Sequence, residues 1–152
     1  MGINERIQSL GFQLPPTPTP AGAYVPGVIA GSLCFVSGQT GTIDGRLVYS
    51  GKLGAGVTIE DGYRSAQIAV LNCLAEAEAV MGDLESIKRI VKVTGFVASA
   101  PGFDQQPKVV NGASDLLVQL FGDRGRHARS AVGVAELPFG APVEVELIVE
   151  FA

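Results

Sequence analysis

Apolar and polar residues alternate without a break along 143–151, VEVELIVEF. Period-two alternation marks a strand with one buried face, because successive side chains leave a strand on opposite sides. It puts Val143, Val145, Leu147, Val149 and Phe151 on the inner face and turns Glu144, Glu146, Ile148 and Glu150 the other way. Leu33 to Gln39 opens on an apolar run of strand length, Ile87 to Ala98 is rich in Val and Ile with partial alternation, and Ala128 to Glu136 reads as a further strand. Asp44-Gly45, between apolar flanks in 41–48, is a two-residue hairpin signal. Two stretches carry the helical period instead. Ala66, Val70, Cys73, Ala77 and Val80 share one face of a helix that Thr58 can cap, with Asp61 three residues on, and that Gly82 can stop. Val109, Ala113, Leu116, Leu117, Leu120 and Phe121 form the buried stripe of a second, from Asp104 to Phe121, ended by Gly122.

The order ββ-α-β-α-ββ predicts an α+β fold: a mixed sheet with both helices packed on one face. The loop 137–142 is expected to join the last two strands as a hairpin. This single domain is assigned to 21–152, preceded by an N-terminal segment, 1–20. The LPPTPTP run within that segment, Leu14 to Pro20, must be extended, because proline fixes φ and lacks an amide hydrogen. It reads as an arm over the surface or as a plain connector. Composition agrees with a packed core, since 47 % of residues are hydrophobic and only 17 % are charged. No apolar run approaches the roughly 18 residues of a membrane span, and the first ten residues lack the apolar stretch of a signal peptide. A cytoplasmic protein with no membrane partner is expected.

Residue counts then exclude several chemistries. His127 is the one histidine, so multi-histidine metal sites are ruled out. Cys34 and Cys73 lie far apart in apolar settings and read as buried thiols. No phosphate-binding glycine fingerprint is present. Neither a metal nor an organic cofactor is therefore expected. The net charge of −4 and a basic cluster limited to Arg124, Arg126, His127 and Arg129 make nucleic acid a poor partner.

Strand parity locates the remaining polar groups. If Val132 and Val134 meet the helices, then Arg129, Ala131, Gly133 and Ala135 face the other way, and Arg129 shares the uncovered sheet face with Glu144. That face would mix charges with small or apolar residues. The expectation is that another copy of the chain covers it, with a shielded pocket at the seam; the alternative is a solvated face carrying a surface Arg and a surface Glu.

The same residues carry a family resemblance. His127-Ala128-Arg129-Ser130-Ala131-Val132, then Glu136-Leu137-Pro138, then Val143-Glu144-Val145-Glu146, resembles the C-terminal signature of the reactive intermediate deaminase family (RidA, YjgF/YER057c/UK114, also called endoribonuclease L-PSP). Gly22-Ala23-Tyr24 with Gly27, Phe35-Val36-Ser37-Gly38-Gln39, Val91 to Val97 and Val110-Asn111 resemble further family segments in the same order. Departures are His127 where the family has Pro, Gly133 where it has Glu, and Ala23 for Pro in the Gly-Pro-Tyr segment. The resemblance implies a chorismate-mutase-like fold and a homotrimer with sites between subunits. It implies a hydrolase acting on C–N bonds, which converts reactive enamines and imines such as 2-aminoacrylate or 2-iminobutyrate to 2-oxo acids and ammonia without a cofactor.

On that reading Arg129 grips the substrate carboxylate with its planar guanidinium. Glu144 orients water or shuttles a proton, Tyr24 lines the pocket, and Ser37, Gly38 and Asn111 contact the substrate. Each has a plainer alternative: a structural salt bridge from Arg129 to Glu146, a surface charge at Glu144, a packing tyrosine, a strand-end hydroxyl, and an amide that satisfies backbone groups. His127 is expected at the rim. A non-catalytic trimer that binds or senses small 2-oxo acids is the competing function. Ribonuclease action is disfavoured by acidity and by the lack of an aromatic-basic surface.

Overall fold

In the computed structural model, which describes residues 1–17 and 22–152, the chain begins with a short helix, α1 (Ile3–Ser9). Strands β1 (Gly27–Ala30) and β2 (Leu33–Thr40) follow, then two small pairs, β3 (Thr42–Ile43) with β4 (Arg46–Leu47) and β5 (Lys52–Leu53) with β6 (Gly56–Val57). The long helix α2 (Ile59–Met81), strand β7 (Ile87–Ala98), helix α3 (Gln106–Phe121) and strands β8 (Ala128–Val134) and β9 (Val143–Phe151) complete the order. Single 3-10 turns occupy Leu84–Ser86, Gly122–Gly125 and Pro138–Gly140.

Local chemistry sets these ends. Thr58 Oγ1 accepts the Asp61 amide at 3.1 Å and starts α2. Gly82 stops it at φ 94°, a left-handed value that costs glycine nothing. Asp44 and Gly45 both take positive φ, 53° and 77°, so the β3–β4 turn has the mirror-image form that suits a tight hairpin.

The main sheet has the order β1-β2-β9-β7-β8. All neighbours are antiparallel except β7 and β8, which are parallel. Helices α2 and α3 cover one face, and Val143, Val145, Leu147 and Val149 are buried beneath them, as alternation in that strand predicts. The helices cross closely. A Cβ on Gly112 would overlap the Tyr63 carbonyl oxygen, and α3 also sits close on the sheet, since a Cβ on Gly95 of β7 would lie 2.5 Å from Val110. Cys34 and Cys73 are buried free thiols.

Four features differ from the sequence-based expectations. Residues 3–9, given no structure by periodicity, form α1, which inserts Ile3 and Ile7 into the core. Strand β1 was also without a signal. The Pro-rich run is described only as far as Thr17, and Pro18, Thr19 and Pro20 lie outside the described residues. Strands β8 and β9 do not form a hairpin, because β7 lies between them. The last difference moves the site. Register pairs Arg129 with Val93, Ala131 with Gly95 and Gly133 with Val97, so Arg129, Ala131 and Gly133 face the helices. Val132 and Val134 face the uncovered side. The branched residues of β8 are not the buried ones, because the parallel register with β7 turns Arg129, Ala131 and Gly133 inward. A Cβ on Gly133 would meet the Gln106 side-chain nitrogen at 2.8 Å.

Candidate functional site

Arg129 lies on edge strand β8, beneath α3 and half-buried. Its Nη1 donates to Asn111 Oδ1 at 2.7 Å and to Ser114 Oγ at 3.2 Å. Asn111 and Ser114 are three residues apart on α3, so both point to the same side of that helix and meet the guanidinium together. No carboxylate among the described residues lies in ion-pair distance of Arg129. The salt bridge to Glu146 that sequence left open is not made. A half-buried cation is thus aimed by two neutral oxygens and keeps its charge uncompensated, an arrangement suited to an incoming anion.

A second contact chain reaches the same hydroxyl. Ser114 Oγ lies 2.8 Å from His127 Nε2, and His127 Nδ1 lies 2.6 Å from the Gly125 carbonyl oxygen. Burial lowers the His127 pKa, with the Arg129 charge adding to the effect and the Gly125 contact opposing it. His127 thus joins the Arg129 cluster through Ser114. Ser114 escaped the sequence analysis. Its spacing from Asn111 was the available signal, but the choice of helix face required knowing that β8 turns Arg129 toward α3.

Glu144 is on the other side of the sheet. It faces the uncovered surface from β9, half-buried, and burial raises its pKa, with repulsion from Glu146 as the smaller cause. Beside it the β2–β9 register shifts between Val36 and Gln39, leaving Ser37 and Gly38 in a bulge. Gly38 packs so closely on Glu144 that a Cβ there would be 3.0 Å from Oε2. Ser37 donates its hydroxyl to the Val25 carbonyl at 2.6 Å, the strand-end role left open by sequence. The prediction that Arg129 and Glu144 share one face of one chain is therefore corrected: β9 and β8 are separated by β7, and the two side chains project from opposite faces.

Tyr24 precedes β1, at the far edge of the sheet from β8 and roughly four strand spacings of about 4.8 Å away. It lines a cavity of about 830 Å³ with Phe12, Leu14, Gln39, Ile43 and Asn72. None of the other predicted site residues lines that cavity. The predicted set thus divides into Arg129 with Asn111, and Glu144 with Gly38 and with Ser37, whose hydroxyl bonds the residue after Tyr24. Among the described residues no group of three or more His, Cys, Asp or Glu side chains is placed to hold a metal ion. No helix among them is long and apolar enough to cross a membrane.

With this geometry in hand, comparison with known proteins is decisive at the level of family. Residues 4–151 match the family model described as "YjgF/chorismate mutase-like, putative endoribonuclease". The chain belongs to the YjgF family. Protein TCP17 of Trypanosoma cruzi is 46% identical over 149 residues, which cover 97% of this chain and 93% of that protein. The Agrobacterium tumefaciens protein Atu1372, a crystal structure of unknown function, superposes with a TM-score of 0.93 at 44% identity, covering 99% of this chain and 92% of that one. A 2-iminobutanoate/2-iminopropanoate deaminase of Dermatophagoides farinae is 33% identical over 135 residues, 89% of this chain and 91% of the mite protein. The mixed sheet with two helices on one face is the chorismate-mutase-like YjgF fold, and the family includes deaminases of 2-imino acids.

Proposed function

We propose that this YjgF protein hydrolyses reactive 2-imino acids, such as 2-iminobutyrate and the imine tautomer of 2-aminoacrylate, to 2-oxo acids and ammonia. The observation that carries the reading is Arg129: a half-buried guanidinium held by Asn111 and Ser114, with no acidic partner among the described residues. A carboxylate next to a C=N bond supplies the missing charge and is gripped in a fixed orientation. The imine carbon is already electrophilic, so catalysis reduces to orientation and proton transfer.

The division of the site suggests how it is completed. One chain cannot bring Glu144 to its own Arg129 across the sheet. A homotrimer in which the uncovered face of one copy meets the β8 edge of the next brings the two groups into one cleft, with Ser37 and Gly38 from the same bulge. Exposed Val28, Phe35 and Val132 on that face favour such burial. There Glu144 orients the attacking water, while Tyr24 borders the substrate.

The test generates 2-aminoacrylate or 2-iminobutyrate with a pyridoxal-phosphate lyase and follows imine decay. Wild type should accelerate decay, Arg129→Ala should lose at least ~100-fold of that acceleration, and Arg129→Lys should be nearly as damaging, since an ammonium lacks the planar fork. Undiminished activity in Arg129→Ala would remove the proposal. Binding of a 2-oxo acid without any turnover would support a sensing trimer instead.

A further inference from the structure

The contacts around Ser114 favour one arrangement of its protons. The Gly125 carbonyl can only accept, so His127 Nδ1 carries the hydrogen and donates it. Burial and the Arg129 charge lower the His127 pKa, which favours the neutral ring, and in that tautomer Nε2 is the acceptor. The 2.8 Å contact is then Ser114 Oγ–H donating to Nε2. Arg129 Nη1 donates into one lone pair of the same oxygen at 3.2 Å. Ser114 Oγ has one hydrogen and two lone pairs, so one lone pair remains for a further donor. A donor bound beside Arg129 can use it.

We propose that Ser114 and His127 form a proton relay at the Arg129 site, in which the Ser114 hydroxyl takes a proton from the attacking water and hands its own to His127 Nε2. This rests on the deaminase reading above. Starting from the iminium form, the oxygen of water bonds to the C=N carbon and the C=N electron pair moves onto nitrogen. The proton released by that water goes to Ser114 Oγ, as Oγ–H passes to Nε2, leaving a neutral carbinolamine and an imidazolium. The imidazolium returns its proton through Ser114 to the amino nitrogen. The C–N bond breaks with its pair on the departing ammonia, the hydroxyl oxygen closes the C=O bond, and its proton leaves to solvent. Arg129 serves twice. It holds the substrate carboxylate, and its hydrogen bond to Oγ favours the transient oxyanion character of the serine. Ser114 is the group that touches the reacting atoms, and His127 acts through it.

The test measures kcat and KM for 2-iminobutyrate hydrolysis in Ser114→Ala and His127→Gln, together with stabilisation by 2-oxobutyrate in thermal melts. The relay predicts that each variant lowers kcat by about 100-fold or more. KM should change by less than about threefold, 2-oxobutyrate stabilisation should persist, and the double variant should be no slower than the worse single one, as for residues that act as a unit. Unchanged kcat in His127→Gln overturns the relay. So does a raised KM with intact kcat, or loss of 2-oxobutyrate stabilisation, because either assigns the pair to supporting Arg129 alone. An inactive wild type overturns the deaminase reading and the relay together, whereas an active wild type with active variants overturns the relay alone.

Discussion

Glu76 shows how strongly one residue's setting can govern its chemistry. It is 1 % exposed on α2, and its Oε1 has no hydrogen-bond partner among the described residues. Burial pushes its carboxyl from 4.5 up to about 8, with the Gln39 hydrogen bond pulling weakly the other way. The folded chain therefore keeps a proton on Glu76 that the unfolded chain releases above about pH 4.5. Between that pH and about 8 the unfolded state binds fewer protons, so the stability contributed by neutral Glu76 is full at low pH and drains away as pH rises. Glu76→Gln, which mimics the neutral form, should match wild type near pH 4.5 and exceed it by at least ~1 kcal/mol at alkaline pH, one pKa unit being worth about 1.4 kcal/mol. Urea denaturation of both proteins at the two pH values checks this, and parallel curves would show that Glu76 ionises normally.

Among the elements, the α2–α3 crossing and the β8 edge are governed by small residues. Gly112 sits where a Cβ would overlap the Tyr63 carbonyl, and backbone cannot rotate away as a side chain can. Gly112→Ala should cost about 3 kcal/mol or more, read as a fall in Tm. Gly45 is a control of the opposite kind. Its φ is 77° but nothing lies within 4 Å of a Cβ there, so Gly45→Ala should cost only about 1 kcal/mol through backbone strain. On β8 the crowding is softer: a Cβ on Gly133 would meet the end of the Gln106 side chain and the Ser99 hydroxyl, which can shift, while Asn111 and Ser114 reach Arg129 from α3.

For the whole molecule the consequence is a sheet with one finished face and one unfinished one. Val28 is 55 %, Phe35 42 % and Val132 43 % exposed on the side without helices, interleaved with Glu144 and Glu146. If that face is the seam of a trimer, light scattering should return three times the mass of the 15.7 kDa chain. Val132→Glu or Phe35→Glu should give folded monomers that lose imine hydrolysis although Arg129 and Ser114 are untouched. A monomeric wild type that retains activity would separate the chemistry from assembly.

The helices, the central and final strands and the tight Asp44-Gly45 turn were legible along the chain, because period, capping and turn chemistry act between residues close in sequence. Arg129 and Asn111 were singled out through their motifs, and the fold sets them 2.7 Å apart. Three things were not legible. The α1 helix has few apolar residues, and its stability comes from Ile3 and Ile7 reaching a core built by distant segments. The facing of β8 depends on its parallel register with β7, which is not a local property. The Ser114–His127–Arg129 contacts follow from that facing. They join a helix to an edge strand across 13 and 15 residues of chain, and only packing of the two elements sets which side chains meet.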